Sequence, residues 1–377
     1  MQLTPIEFPS RTRLIFGPGV IQQAGELTRS LGVTHALLVT DKGLVHAGHA
    51  PAVKRNLEAA GLRVTMFDRA HENPTTKDVD ACVAIAREAG IDAIVGLGGG
   101  SSMDTAKGCN FLLTNGGQMK DYWGVGKATK TMLPFVAIPT TAGTGSEMQS
   151  AALIADADTH QKMACLDSKC AACIALLDPE LTLSQPPSVT AATGIDAIAH
   201  AVESAVTTKR NELSQRLSRE AFRLCFGAFS KVLATPTDLE ARAQMQLGAA
   251  YAGAAIENSM LGAAHAAANP LTAHFNIVHG HAVGLMLPHV VRFNLADSAA
   301  RKCYERFAAP ISPDDLPEKL AALLRLTPFP ATLAQAGVMR AAIPMLAEEA
   351  TRQWTAQFNP RPISTSDFVQ LYEAAFA

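Results

Sequence analysis

Residues 92–107 read D-A-I-V-G-L-G-G-G-S-S-M-D-T-A-K, an apolar run that ends in three glycines and passes into helix-forming residues. Asp92–Leu97 is strand-like, and a helix is expected to open at Ser101. Glycines let a backbone approach a pyrophosphate closely, and the helix N-terminus behind them offers free N–H donors and a favourable dipole. Ser101 with Asp104 three residues later reads as a capping box that sets the start of this helix. The dinucleotide fingerprint is half met. Gly96-x-Gly98 is present, but Ser101 stands where the third glycine belongs. A Walker loop is excluded, because no Gly-Lys-Ser/Thr falls in register. For the string by itself, a plain glycine-rich turn is the competing reading.

Strands and helices alternate on both sides of this stretch. His35–Thr40, Arg63–Asp68 and Pro134–Ile138 are strand-like, with helical stretches from Asp41-Lys42-Gly43 through Ala60 and from about Thr76 to Ala89. Strand-like pieces at Lys162–Leu166 and Cys173–Leu177 finish this half. Such alternation predicts a parallel sheet with a nucleotide crevice at the strand C-termini. Asp41 leaves the first of these strands where an adenosine ribose would lie, so its carboxylate favours NAD over NADP by repelling a 2′-phosphate. A turn-initiating aspartate is the alternative there. The loop Thr140–Glu147, P-T-T-A-G-T-G-S-E counted from Pro139, is rich in small hydroxyl residues suited to phosphate or nicotinamide.

Beyond Pro186-Pro187 the pattern turns helical almost to Ala377. Fold class is therefore an α/β dinucleotide-binding domain with a parallel sheet over residues 1–183, then an all-α domain over 184–377, with the site between them. In G-I-D-A-I-A-H-A-V-E, residues 194–203, Asp196 and His200 are four apart and leave one helical face a turn from each other. Alone, such a pair is commonly an ordinary polar contact. The region Leu261–His289 adds His265, His274, His279, His281 and His289, five of eleven histidines. Three histidines and an aspartate from separate helices fill a metal site and leave room for a substrate oxygen.

Composition narrows the classes. Of 377 residues, 48% are hydrophobic and 18% charged, which suits an enzyme with a large core. A formal charge of −2 argues against a nucleic-acid partner. No apolar run reaches membrane-span length, and Met1–Arg13 lacks a signal-peptide apolar region, so no membrane partner and a cytoplasmic location are expected. The seven cysteines include one C-A-A-C, Cys170 to Cys173. It lacks the second pair of a zinc ribbon, and buried free thiols are expected.

These residues together resemble the iron-dependent (group III) alcohol dehydrogenase family, and within it lactaldehyde reductase/propanediol oxidoreductase-like members. The matching pieces are V-T-D-K-G-L (39–44), N-P-T (73–75), the glycine stretch, P-T-T-A-G-T-G-S-E, the 194–203 stretch and H-G-H-A-V-G-L-M-L-P-H-V (279–290). The resemblance implies a dehydroquinate-synthase-like architecture and a metal held by Asp196, His200, His265 and His279. It also implies NAD at Asp41, Asn73, Gly98, Gly99, Gly100, Ser101, Ser102, Asp104, Thr140, Thr141, Thr144 and Lys162. A homodimer is expected, with Fe(2+), or Zn(2+) as the alternative. The implied reaction passes hydride between a small alcohol or diol and the nicotinamide, with the metal polarising the oxygen. A glycerol-dehydrogenase-type polyol dehydrogenase, a maleylacetate-reductase-like enzyme and a non-catalytic nucleotide-binding protein are the rivals.

One position departs from the family. Four residues after His265, where a second histidine is usual, stands Asn269. A helix from about Leu261 places Asn269 one turn beyond His265, its amide towards the metal cavity. Asparagine takes up no proton near neutral pH, so the proton path needs another route, with His274 the nearest base in sequence. Pro270 is expected to end that helix and let the following loop return His274 to the cavity. In the alternative, Asn269 only orients substrate and His274 lies on the surface.

Overall fold

The computed structural model describes residues 11–159 and 161–377, so most of the Met1–Arg13 start lies outside the described residues. Two compact units emerge. One runs up to Thr141 and resumes over Ser146–Gln185; the other comprises Ala142–Gly145 and Pro186–Ala377.

Among the described residues, the first unit has nine strands: β1 Arg13–Phe16, β2 His35–Val39, β3 Arg63–Phe67, β4 Ala93–Gly98, β5 Gly124–Val125, β6 Phe135–Pro139, β7 Ala151–Ala155, β8 Lys162–Leu166 and β9 Ile174–Leu177. Six form one parallel sheet in the order β1-β9-β6-β4-β2-β3. The central strands β2, β4, β6 and β9 are buried at every residue, as continuous apolar runs covered on both faces must be. Leu37, Val39 and Ile94 pack into one cluster while Leu38, Val95 and Val136 pack into another, so successive side chains serve opposite faces. Lys162–Leu166 does not join this sheet. It lies in a second sheet, β5-β8-β7, where it pairs antiparallel with β7.

Two local expectations need correction. The helical stretch 42–60 is two helices, Lys42–His46 and His49–Ala59, divided at Gly48, whose φ of 83° is left-handed. The glycine-loop helix runs Gly100–Asn115 with Gly99 as its extended N-cap, so Ser101 already lies inside the first turn and makes no capping box with Asp104. The Asp104 carboxylate instead accepts a bond from Ser146 Oγ at 3.3 Å. A capping box does start the preceding helix, Thr76–Ala89, where Thr75 and Asp78 cap each other reciprocally.

The second unit is helical: Pro187–Ser204, Glu212–Ala234, Leu239–Glu257, Ala263–Phe275, His279–Asn294 and shorter helices beyond. Its core is one cluster rich in alanine, including Ala197, Ala201, Ala252 and Ala266, and such small side chains let helices approach closely. At Gly280 an added Cβ would sit 2.0 Å from Ala192 O, so only glycine fits where helices 187–204 and 279–294 cross. No described helix is long and apolar enough to cross a membrane.

Candidate metal centre and nucleotide site

Helix Pro187–Ser204 starts with proline at its first position, where a missing N–H is harmless, and carries Asp196 and His200 on one face. Glu203, a further three residues on, shares that face. Helix Ala263–Phe275 brings His265, and His279 opens the next helix after Asn276 turns the chain at φ 52°.

The four side chains converge. From Asp196 Oδ1 the distances are 3.4 Å to His200 Nε2, 3.5 Å to His265 Nε2 and 3.8 Å to His279 Nε2. One ligand atom each of Asp196, His265 and His279 lies within 4.8 Å of the others. The His200 and His265 rings stack at 4.8 Å between centroids. Asp196, His200 and His265 are buried, while the His279 side chain stays 29% exposed and gives access from one side. Asp196 Oδ1 and His265 Nε2 are buried and lack a hydrogen-bond partner. Buried polar atoms are rarely left so, and an ion between them would satisfy them together. Three imidazole nitrogens and one carboxylate oxygen match the donor preferences of iron and zinc. The residues present therefore fit a divalent metal.

The buried carboxylates hold a proton on His265 that a bound metal would displace. Burial would raise the Asp196 carboxyl, yet His200, then His265 and His279, hold it below the usual carboxylate range. Burial lowers His200. Burial also works to lower His265, but Glu203 and Asp196 outweigh it and push this histidine up to about 9. Glu203 belongs to this cluster too, a role the sequence motifs do not single out. Its Oε2 is 2.5 Å from His265 Nδ1 and its Oε1 accepts from Ala264 N at 2.7 Å. Its position seven residues after Asp196 was the available signal.

Pro270 does not end its helix. The helix continues to Phe275, because Pro270 forfeits one backbone bond while its neighbours Ala266, Ala267 and Leu271 are fully buried. No loop carries His274 back: it stays on the helix, half-exposed, with Nε2 2.9 Å from Glu349 Oε2. Asn269 Nδ2 donates to Gln353 Oε1 at 3.0 Å. His281 is stacked on Phe329 and shares a 2.8 Å bond with Pro330 O.

In the sheet unit, strand order reverses between the adjacent strands β2 and β4, which is where α/β sheets bind nucleotides. Asp41 follows β2 and caps Lys42–His46 by accepting from Leu44 N at 3.0 Å. Gly98 ends β4 at φ 148°, where a Cβ would meet Ser102 Oγ at 2.4 Å, and Gly99 caps the helix whose first turn holds Gly100, Ser101 and Ser102. Thr140 N donates to Gly98 O at 3.0 Å, and Thr141 lies against Gly99. Thr144 falls in the helical unit. Asn73 stands exposed at φ 51° before Pro74, whose carbonyl accepts from Ala155 N at 2.9 Å. Burial pushes the Asp104 carboxyl up to about 6 against the charges of Lys107 and Lys162.

Comparison with known proteins agrees with this geometry. Residues 11–179 match iron-containing alcohol dehydrogenase, and residues 190–376 match the C-terminal region of the Fe-containing alcohol dehydrogenase family. The chain is 33% identical over 370 residues to NAD-dependent methanol dehydrogenase of Bacillus methanolicus, covering 96% of this chain and 97% of that protein. It is 32% identical to lactaldehyde reductase of Escherichia coli K12 over 96% of this chain and 97% of that one. The solved structure of sulfoacetaldehyde reductase from Bifidobacterium kashiwanohense in complex with NAD+ superposes with a TM-score of 0.91 at 27% identity, covering 99% of each chain. The chain belongs to the iron-containing alcohol dehydrogenase family.

Proposed function

We propose that the protein is a metal-dependent, NAD-linked alcohol dehydrogenase and aldehyde reductase for small alcohols or diols. The observation that carries this reading is the convergence of three histidine nitrogens on one buried carboxylate oxygen that has no hydrogen-bond partner. Asp196, His200, His265 and His279 would hold the metal, iron(II) first and zinc as the alternative that the same donors accept. When bound, it supplies Lewis-acid polarisation of an alcohol or carbonyl oxygen. NAD supplies the hydride acceptor.

This chain's own residues do the rest. The N-terminus of helix Gly100–Asn115 and the backbone around Gly98–Ser102 bind the pyrophosphate, with Asp104, Thr140, Thr141, Thr144, Asn73 and Lys162 completing the cofactor contacts. Asp41 accepts from the ribose hydroxyls. Residues 1–183 thus form the NAD-binding domain and residues 184–377 the metal and substrate domain. Asn269 orients the substrate through its carbonyl oxygen, since its amide nitrogen is held by Gln353. His274 is committed to Glu349, so the alcohol proton leaves to solvent. The enzyme acts as a cytoplasmic homodimer.

The experiment is an NADH absorbance assay on short alcohols, diols and aldehydes with iron(II) or zinc supplied, beside His200→Ala. That variant should lose bound metal and turnover while its sheet unit stays folded. Full metal occupancy at the unsubstituted rate would overturn the site.

A further inference from the structure

Lys107 lies two turns into helix Gly100–Asn115 and is only 1% exposed. Four oxygens surround its Nζ: Ser146 O at 2.6 Å, Gln149 O at 2.8 Å, Ser146 Oγ at 2.9 Å and Ala151 O at 3.0 Å. An ammonium has three protons, so four acceptors exceed its directed bonds. The arrangement is that of a charge in a cage, three main-chain carbonyls and a hydroxyl, which is how proteins coordinate bare monovalent cations. No carboxylate oxygen is among the four. Asp104 and Glu147 stand close enough to feel the Lys107 charge.

The cage oxygens belong to residues 146–151, from the end of the hydroxyl-rich loop to the first residue of β7. Lys107 belongs to the helix whose first turn is the glycine loop. One buried charge therefore pins two segments whose neighbouring residues are the proposed cofactor contacts. Removing it would take the charged donor away from three converging carbonyls, of which Ser146 O also accepts from Gln149 N at 3.2 Å.

We propose that Lys107 is a tethered monovalent cation in an oxygen cage, and that this cage positions the dinucleotide site. With the side chain removed, a small free cation (ammonium, methylammonium or potassium) takes its place. Only the cofactor half of this inference rests on the NAD reading given above.

The test uses purified Lys107→Ala and Lys107→Met in chloride salts of ammonium, methylammonium and tetramethylammonium at equal ionic strength. Tm and the Kd for NADH, by fluorescence, are measured in each. In Lys107→Ala, NADH binding should weaken about tenfold or more, the scale of losing bonds to a charged donor. Ammonium and methylammonium should restore Tm and Kd; tetramethylammonium, too large for the cage, should restore neither. Lys107→Met, whose side chain still fills the space of the lysine stem, should not be rescued. Equal Tm effects of ammonium and tetramethylammonium on Lys107→Ala would overturn the cage. Cation-specific Tm recovery with an NADH Kd unaltered throughout would overturn the positioning role. If Lys107→Ala yields no folded protein in any salt, Ser146→Ala decides: loss of one cage oxygen should raise the NADH Kd about threefold or more, and an unchanged Kd rejects the inference. Should the unsubstituted protein bind no NADH, the NAD reading fails, and the Tm comparison alone judges the cage.

Discussion

His265 is held between two carboxylates: its Nδ1 meets Glu203 Oε2 at 2.5 Å, while its Nε2 faces Asp196 Oδ1 at 3.5 Å. The first contact fixes which nitrogen carries the proton and leaves Nε2 as the donor towards the centre. Glu203 is itself fixed, because its other oxygen accepts from Ala264 N. Glu203→Gln keeps the shape and removes the charge. It should weaken metal binding about 10–100-fold, measured by competition with a chelator. An unchanged metal Kd would show that Glu203 does not orient His265.

Asp41 stands at the end of β2, next to the glycine loop that follows β4. A 2′-phosphate there would meet its carboxylate at a cost of ~1–4 kcal/mol. Asp41→Gly should therefore raise kcat/KM for NADP relative to NAD about tenfold or more. Glycine is itself an acceptable cap, so loss of the Leu44 contact costs only a few tenths of a kcal/mol. Equal efficiency with both cofactors in the unsubstituted enzyme would remove Asp41 from cofactor selection.

The sheet was legible because its central strands are buried on both faces, so His35–Val39 and Ala93–Gly98 read as unbroken apolar runs bounded by turn residues. Strand β1 was missed: Arg13–Phe16 is four residues long and only partly buried, too little for a pattern. Strand β7 alternates half-buried and buried residues over five positions but is separated from the hydroxyl-rich loop by only three residues. The convergence of Asp196, His200, His265 and His279 was legible from helical spacing and from the family resemblance. Lys107 was not. Its partners are mostly main-chain carbonyls 39 to 44 residues away, and no side-chain pattern announces those. Pro270 misled because proline's local preference was weighed without the tertiary packing that overrides it.

Glu147 offers a pH test. Burial pushes its carboxyl from the ordinary value up to about 7, with Lys107 opposing. A carboxyl whose folded pKa is raised binds its proton more tightly in the native state. Stability contributed by this group then falls as pH rises from about 4.5, the unfolded value, through about 7, and is level above that. Glu147→Gln lacks this loss. Its stability relative to the unsubstituted protein should grow across that window by up to ~3 kcal/mol and then stay constant. Denaturant midpoints at several pH values read this directly. A difference that does not vary with pH would mean Glu147 is ionised in the native state throughout.

The proton released on alcohol oxidation has no titrating acceptor on the face of the helix beyond His265. Asn269 occupies the position one turn on and is tied to Gln353 through its amide. His274 lies further along the same unbroken helix, half-exposed and paired with Glu349. For His274 to act as the base, that pair would have to open and the helix past Pro270 would have to unwind. Solvent is the simpler acceptor. His274→Ala should then leave both kcat and the pH–rate profile unchanged, whereas loss of a general base would lower the rate ~10²–10⁴-fold and delete a titration. Asn269→His makes the converse case. It places a titratable imidazole of unperturbed pKa ~6.5 one turn from His265, so a new pH dependence near neutrality should appear in kcat. A His274→Ala rate lowered by that range would return His274 to the mechanism and require a helix that opens during turnover.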